Sequence, residues 1–204
     1  MVSEKFSKEI MSLAPWRSPL GKAQHINRSL ANVRFLQLAT VRPDGRPANR
    51  TVVFRGFVEE TNQMKFVTDF RSQKVTDLYE QPWGEACWYF SKTREQFRLH
   101  GRLALITSES IDEAEQQLRS RTWNDLSRTA KAQFTWPAPG QIRPYIDPLN
   151  LIVDEDQPVL PDFCVLILDP ISVDHLQLKS SEGQLRTRYD RSPGGVWSIV
   201  DLNP

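Results

Sequence analysis

The sequence predicts a mainly β protein: a small antiparallel barrel with peripheral helices. Strand-like runs outnumber helical stripes, and short turn-forming segments such as Pro43-Asp44-Gly45-Arg46-Pro47 and Pro193-Gly194-Gly195 join consecutive runs, so neighbours pair locally. The helical stripes are few and lie between strands rather than alternating with them. With 204 residues the chain buries a substantial core without staples, and we read 1–204 as one domain.

Ile26, Leu30 and Val33 recur at helical spacing, predicting a short amphipathic helix over Gly21 to Val33. Phe35 to Val41 reads as a strand, and the Pro-Asp-Gly turn leads into a second strand from Asn49 to Phe57. Met64 to Asp69 continues the meander, and a helix is expected over Ser72 to Glu80. Glu85 to Phe90 and Glu95 to Thr107 are strands; in the latter, Phe97, Leu99 and Leu103 face one way and Gln96, Arg98 and His100 the other. Gly101 in its middle predicts a bulge or a close backbone approach.

Ser110-Ile-Asp-Glu113 reads as a capping box opening a helix buried through Ile111, Ala114 and Leu118. Thr122-Trp-Asn-Asp125 reads as a weaker box before a stripe of Trp123, Leu126, Ala130 and Phe134. No period survives from Thr135 to Asp162, an irregular arm; half of the 14 prolines fall between Pro137 and Pro170, and a loop of this length in a compact domain is usually functional. Four closing strands follow: Phe163 to Leu168, Ile171 to Leu178, Gln184 to Asp190 and Val196 to Leu202.

Lys+Arg 26 against Asp+Glu 25 leaves a net charge of +1, which makes no electrostatic case for nucleic acid or an anionic membrane. The longest apolar run, Phe163 to Leu168, is too short to span a bilayer, and no signal-like segment follows the start, so a soluble cytoplasmic protein is expected. Cys87 and Cys164 sit in strand-like runs as small hydrophobes, and His25, His100 and His175 are too scattered for a metal site. Glycine-rich dinucleotide and nucleotide loops are missing.

The chemistry concentrates between Arg50 and Lys74. Arg50-Thr-Val-Val-Phe-Arg55 brackets a β-branched run with two arginines; beyond a polar turn, Phe66-Val-Thr-Asp-Phe-Arg-Ser-Gln-Lys74 places a hydroxyl and two cations, Arg71 and Lys74, where a helix begins. Free N–H groups and the positive dipole end there attract anions, so the pattern suits a phosphate held beside a sheet. Arg50 and Arg55 differ by an odd number. Either a bulge unites them or they serve two places roughly 16 Å apart.

As a set, these segments resemble the pyridoxamine 5'-phosphate oxidase family, the FMN-binding split-barrel flavoproteins. Arg50-Thr-Val-Val-Phe-Arg55 resembles its Arg-x-Val-Leu-Leu-Lys strand, Phe66 to Lys74 its Phe-Tyr-Thr-Asn-x-x-Ser-Arg-Lys segment, and Glu95-Gln-Phe-Arg-Leu-His-Gly101 its Arg-Gln-Val-Arg-Val-x-Gly strand. The resemblance implies FMN contacts from Arg50, Thr51, Val52, Val53, Arg55, Val67, Thr68, Ser72, Gln73 and Lys74, with Gln96 at the ring. It also implies a homodimer with FMN between the subunits, for which Trp83, Trp88 and Trp136 and the 135–162 arm offer surface.

The departures fall on the substrate side. Arg55 replaces a lysine, Val67 a tyrosine, and Gln73 the first of two cations. The family's Arg-Leu-His-Asp-Arg shrinks to Leu185-Arg-Thr-Arg188, so its flavin-contacting arginine is Arg188 or Arg186, and its histidine falls on Arg186 or Gln184. A tryptophan becomes Leu178 or Leu176. Arg121 resembles a substrate-phosphate arginine, to act with Arg55. The implied activity is oxidation of pyridoxamine or pyridoxine 5'-phosphate to the aldehyde with dioxygen; another FMN oxidoreductase or a flavin-binding protein without turnover are the alternatives.

Overall fold

A computed structural model describes residues 13–142, 156–181 and 183–204. Eight strands and four α-helices occupy them: α1 (Arg17–Asn27), β1 (Phe35–Val41), β2 (Pro47–Val53), β3 (Met64–Asp69), α2 (Gln73–Glu80), β4 (Trp83–Phe90), β5 (Glu95–Ile106), α3 (Glu113–Asn124), α4 (Arg128–Ala132), β6 (Phe163–Ser180), β7 (Gly183–Arg191) and β8 (Trp197–Leu202). Every strand pair is antiparallel. The sheet order is β2-β1-β4-β5-β6-β7-β8, with β3 attached to β6.

The split in this barrel originates in β6. Its first half, Phe163 to Leu168, pairs with β3, whereas Ser172 to Gln177 pairs with β7 along the same edge. The expected pair of closing strands, 163–168 and 171–178, is therefore one 18-residue strand that changes neighbour around Pro170. Proline lacks the N–H that a continuous ladder needs, so a partner change belongs there. Opposite it, β5 slips register between His100 and Gly101, as the mid-strand glycine predicts. A Cβ on Gly101 would stand 2.0 Å from the Asp169 carbonyl oxygen, so only glycine fits.

Alternation along β6 divides the core in two. Leu166 and Leu168 join Trp16, Leu36, Leu38, Phe66, Trp88, Phe97 and Leu99 inside the barrel. Phe163, Val165 and Ile167 point the other way, onto Trp123, Leu126 and Phe134 of the α3–α4 layer. Burial on both faces explains why this stretch is the longest apolar run in the chain.

Several local expectations are corrected. The first helix starts earlier, at Arg17, and buries Leu20, Ala23 and Asn27; Ile26 is exposed because Trp16, Leu20 and Ala23 offer the better stripe. Ser110 does not cap α3: its hydroxyl accepts from the Thr107 N–H at 3.1 Å, Ile111 is exposed, and Asp112 caps instead, accepting from the Glu115 N–H at 3.0 Å. Thr122 lies inside α3, and Ser127 caps α4. Trp88 is no surface residue; it is core, its indole donating to the Val33 carbonyl at 3.0 Å. Most of the irregular arm, 143–155, lies outside the described residues.

Candidate functional site

Thr68 is the penultimate residue of β3 and Ser72 is the N-cap of α2, four residues apart across a tight turn closed by the Ser72 N–H to the Asp69 carbonyl at 3.0 Å. The two hydroxyls lie 3.2 Å apart, and the Lys74 ammonium donates to both, at 2.9 Å to Thr68 and 3.0 Å to Ser72. Ser72 occupies the N-cap position without capping, so its side chain leaves the helix N–H groups unengaged. Arg50 reaches the same rim from β2, donating to Thr40 Oγ1 at 2.8 Å, with its guanidinium 3.6 Å from Asp77. Asp77 is fully buried and also accepts from Thr40 at 3.0 Å.

Burial, and then the charge of Arg50, push the Lys74 pKa down, against opposing pulls from Asp69 and Asp77. Its ammonium rests on neutral oxygens, with no ion-pair partner among the described residues. Two cations, two hydroxyls and a helix N-terminus with a single buried counter-charge form a cradle suited to a phosphate dianion. The donor set therefore fits the phosphate end of FMN.

Beside the cradle, β2 hydrogen-bonds, among the described residues, only to β1. Alternate N–H and C=O groups along Arg50, Thr51, Val52 and Val53 have no strand partner among the described residues on its outer edge, a row that a flat heteroaromatic edge satisfies. Val67, by contrast, points into the α3–α4 layer, and Gln73 is exposed.

Gln96 lies elsewhere. Through the register, Gln96, Leu176 and Arg186 form one cross-strand row, and Arg98, Asp174 and Arg188 the next. Both rows lie on the face opposite Leu99 and Phe97, on the outside of the barrel. Arg186 grips Asp174 through Nε and Nη2 at 2.9 and 2.7 Å, and Arg98 joins at 3.2 Å. Burial works against ionisation of Asp174, but the hydrogen bond from Arg186 and the charge of Arg98 outweigh it and hold the carboxyl below its usual range. Arg188 instead pairs with Asp190 at 2.9 Å. Arg186, Arg188, Arg98, Asp174, Glu85 and His100 line a cleft of about 190 Å³. Thus Arg186, not Arg188, shares the row of Gln96.

Other expected residues are committed differently. Arg71 binds Asp69, Asp162 and the Trp136 carbonyl, at 2.6, 3.2 and 3.1 Å, and so ties both ends of the irregular arm to the turn before α2. Arg121 is largely exposed and faces Glu59 at 3.9 Å. Arg50 and Arg55 serve two places: β2 ends at Val53, and the Arg55 N–H donates to the Lys65 carbonyl at 2.9 Å, in a stretch that pairs with β3.

Asp77, Thr40 and Asp174 were not legible as site residues. Asp77 looks like an ordinary polar residue of an amphipathic helix, and Asp174 acquires its role only through the β5–β6–β7 register. The one hint was an acid beside a histidine in an apolar strand. That histidine, His175, is buried, stacks on Phe97 with ring centroids 4.0 Å apart and bonds Glu95 at 2.7 Å. Among the described residues no group of His, Cys, Asp or Glu is placed to hold a metal, and no helix is long and apolar enough to cross a membrane.

Residues 13–107 match the family model described as pyridoxamine 5'-phosphate oxidase, FMN-binding domain. The chain is 37% identical over 200 residues to pyridoxine/pyridoxamine 5'-phosphate oxidase 2 of Arabidopsis thaliana, covering 94% of this chain and 98% of that protein. Its fold is similar to the crystal structure of a pyridoxamine 5'-phosphate oxidase-related, FMN-binding protein from Nostoc punctiforme, with TM-score 0.90, 49% identity and coverage of 95% and 100% of the two chains. PhzG from Burkholderia lata shares the fold at TM-score 0.70 and 22% identity, covering 93% of this chain and 90% of that one. The open sheet, the phosphate cradle and these likenesses agree: the chain belongs to the pyridoxamine 5'-phosphate oxidase-related, FMN-binding split-barrel family, and its cofactor is FMN.

Proposed function

We propose that this FMN-dependent oxidoreductase oxidises pyridoxamine or pyridoxine 5'-phosphate to pyridoxal 5'-phosphate, with dioxygen as the electron acceptor. The observation that carries the reading is the cradle of Arg50, Thr68, Ser72 and Lys74 beside the unpaired edge of β2, in a chain 37% identical to a pyridoxine/pyridoxamine 5'-phosphate oxidase.

The active unit is a homodimer with FMN between its subunits. Arg50 shares the barrel-facing side of the sheet with its register partner Leu38, whereas Gln96 and Arg186 share the outer side. One sheet does not present both groups to one ligand, but two copies do: one supplies the cradle and the β2 edge, the other the Gln96–Arg186 row. Exposed Trp83, Tyr89, Ile199 and Val200 add apolar area on strands β4 and β8.

When bound, FMN supplies the acceptor for a hydride from the substrate carbon. The protein's part is binding and placement. Lys74 and Arg50 hold the phosphate, with Thr68 and Ser72 orienting it; Gln96 offers an amide with no hydrogen bond within the described chain. Arg186, fixed by Asp174, places a positive charge where negative charge grows in the reaction, and its prior orientation removes reorganisation cost. Arg55 attracts the substrate's anionic group. No general base is required where the reacting carbon is held in line.

The test is the visible spectrum of the FMN-loaded protein, oxygen-free, before and after pyridoxamine 5'-phosphate. Bleaching of the flavin bands with stoichiometric aldehyde is expected. A spectrum that stays oxidised would refute the substrate assignment.

A further inference from the structure

The hydroxyl of Thr40 stands between two groups that leave it one arrangement. A guanidinium carries only donors and a carboxylate only acceptors, so Thr40 Oγ1 accepts from Arg50 Nη1 at 2.8 Å and gives its single proton to Asp77 Oδ2 at 3.0 Å. Asp77 therefore sets the direction of each proton from Arg50 through Thr40. Without that acceptor the Thr40 O–H is free to turn towards Arg50, where a donor would meet a donor.

The Leu38 carbonyl, at 3.2 Å, fixes the same Nη1 nitrogen. The hydrogen bonds of the Arg50 guanidinium within the described chain all leave from Nη1, and Nη2 lies 3.6 Å from Asp77, beyond hydrogen-bond reach. Anchoring one nitrogen leaves the Nε–Nη2 edge open. Such an edge is a fork that meets phosphate oxygens in paired hydrogen bonds.

As a stabiliser of the fold, Asp77 is poor. It is fully buried, and its second oxygen, Oδ1, is buried with no partner among the described residues. A buried carboxylate with an empty oxygen leaves part of its desolvation uncompensated. Its charge, however, is well placed. Asp77 follows Lys74 by three residues on α2, and so shares its helix face. Burial lowers the pKa of both Arg50 and Lys74, and Asp77 opposes that at both.

We propose that Asp77 is the positioning residue for Arg50: acting through Thr40, it fixes which side of the guanidinium is anchored and which is presented to the FMN phosphate. The inference rests on the reading that Arg50 and Lys74 hold that phosphate. It adds Asp77 and Thr40, which lie outside the segments that resemble the family's FMN motifs. A carboxylate also repels a phosphate, but Asp77 is fully buried and its charge is directed at Arg50, so orientation outweighs repulsion and loss of the carboxylate weakens binding.

The experiment is fluorescence titration of FMN into the full chain stripped of flavin. Asp77→Asn, whose amide still accepts from Thr40 but carries no charge, is expected to weaken binding about tenfold. Against an Arg50→Gln background the same change should add less than about twofold, because the group it positions is gone. Thr40→Val should lose about as much as Asp77→Asn, and Thr40→Ser, which restores the hydroxyl, should stay within about twofold of wild type. Unchanged or tighter binding in Asp77→Asn overturns the proposal, as does an equal loss in both backgrounds, the signature of a residue that only seats α2. If Asp77→Asn does not fold, wild-type affinity in Thr40→Val overturns it instead. Wild-type affinity in Arg50→Gln would remove the phosphate cradle itself; loss in Arg50→Gln without loss in Asp77→Asn would leave the cradle and remove only the positioning role.

Discussion

Gly101 lies so close to Asp169 that a methyl group in place of its hydrogen would stand 2.0 Å from the Asp169 carbonyl oxygen and 2.7 Å from its carbonyl carbon. The obstacle is backbone and has no rotamer to yield. Gly101→Ala should therefore destabilise the barrel at the upper end of overpacking, about 3 kcal/mol, lowering Tm by roughly 6–12 °C. Gly84→Ala is the contrast: its nearest obstacle is the Leu103 side chain, at 2.4 Å, which can turn away. A smaller loss, about 1 kcal/mol, is expected there. Equal thermal shifts in the two variants would contradict the account.

Lys74→Met removes the ammonium but keeps the stem. Because a charge-assisted hydrogen bond contributes about 1.5–3 kcal/mol, FMN affinity should fall about 10- to 100-fold with the circular dichroism spectrum unchanged. The pH dependence has a defined sign. Burial and Arg50 depress the Lys74 pKa in the free protein, and a bound phosphate favours the protonated form. FMN affinity should hold below that depressed pKa and decline as pH rises through it, and Lys74→Met should lose the decline. Fluorescence titration of FMN across the alkaline range checks both.

Arg71→Ala cuts three connections at once, to Asp69, Asp162 and the Trp136 carbonyl. The Phe70 N–H, which donates to the Asp162 carbonyl at 2.8 Å, should then exchange with solvent at least tenfold faster. Hydrogen exchange followed by mass spectrometry reads this directly. Exchange at wild-type rate would mean that the arm's ends are held without the guanidinium.

Asp174 offers a test in acid. Its folded pKa is depressed, so its contribution to stability is present above the unfolded carboxylate pKa and is lost as pH falls through the folded value. Asp174→Asn should cost stability at neutral pH and show a shallower loss on acidification. Urea midpoints at neutral and acid pH supply the comparison; parallel losses in both proteins would deny Asp174 this role.

Arg186→Gln should perturb the absorbance bands of bound FMN, because Arg186 shares the cross-strand row of Gln96, while Arg188→Gln should leave them unchanged. The reverse result would move the flavin contact to Arg188.

The sequence by itself determined the strands of the meander, because period-two alternation and turn residues are local signals. Phe35 to Val41 and Met64 to Asp69 fall on their strands residue for residue, and Gly101 marks the bulge. It also placed Thr68, Ser72 and Lys74 together, since a strand end, a turn and a first helical turn lie within one short segment. What it did not contain was register. Only the pairing of β5, β6 and β7 aligns Gln96 with Arg186 and brings Asp174 between two arginines. Likewise, Pro170 read as a break between two strands, because locally a proline ends a ladder. In the fold, β6 is bonded to β5 along one edge and exchanges β3 for β7 along the other, so the strand continues where its own sequence says stop.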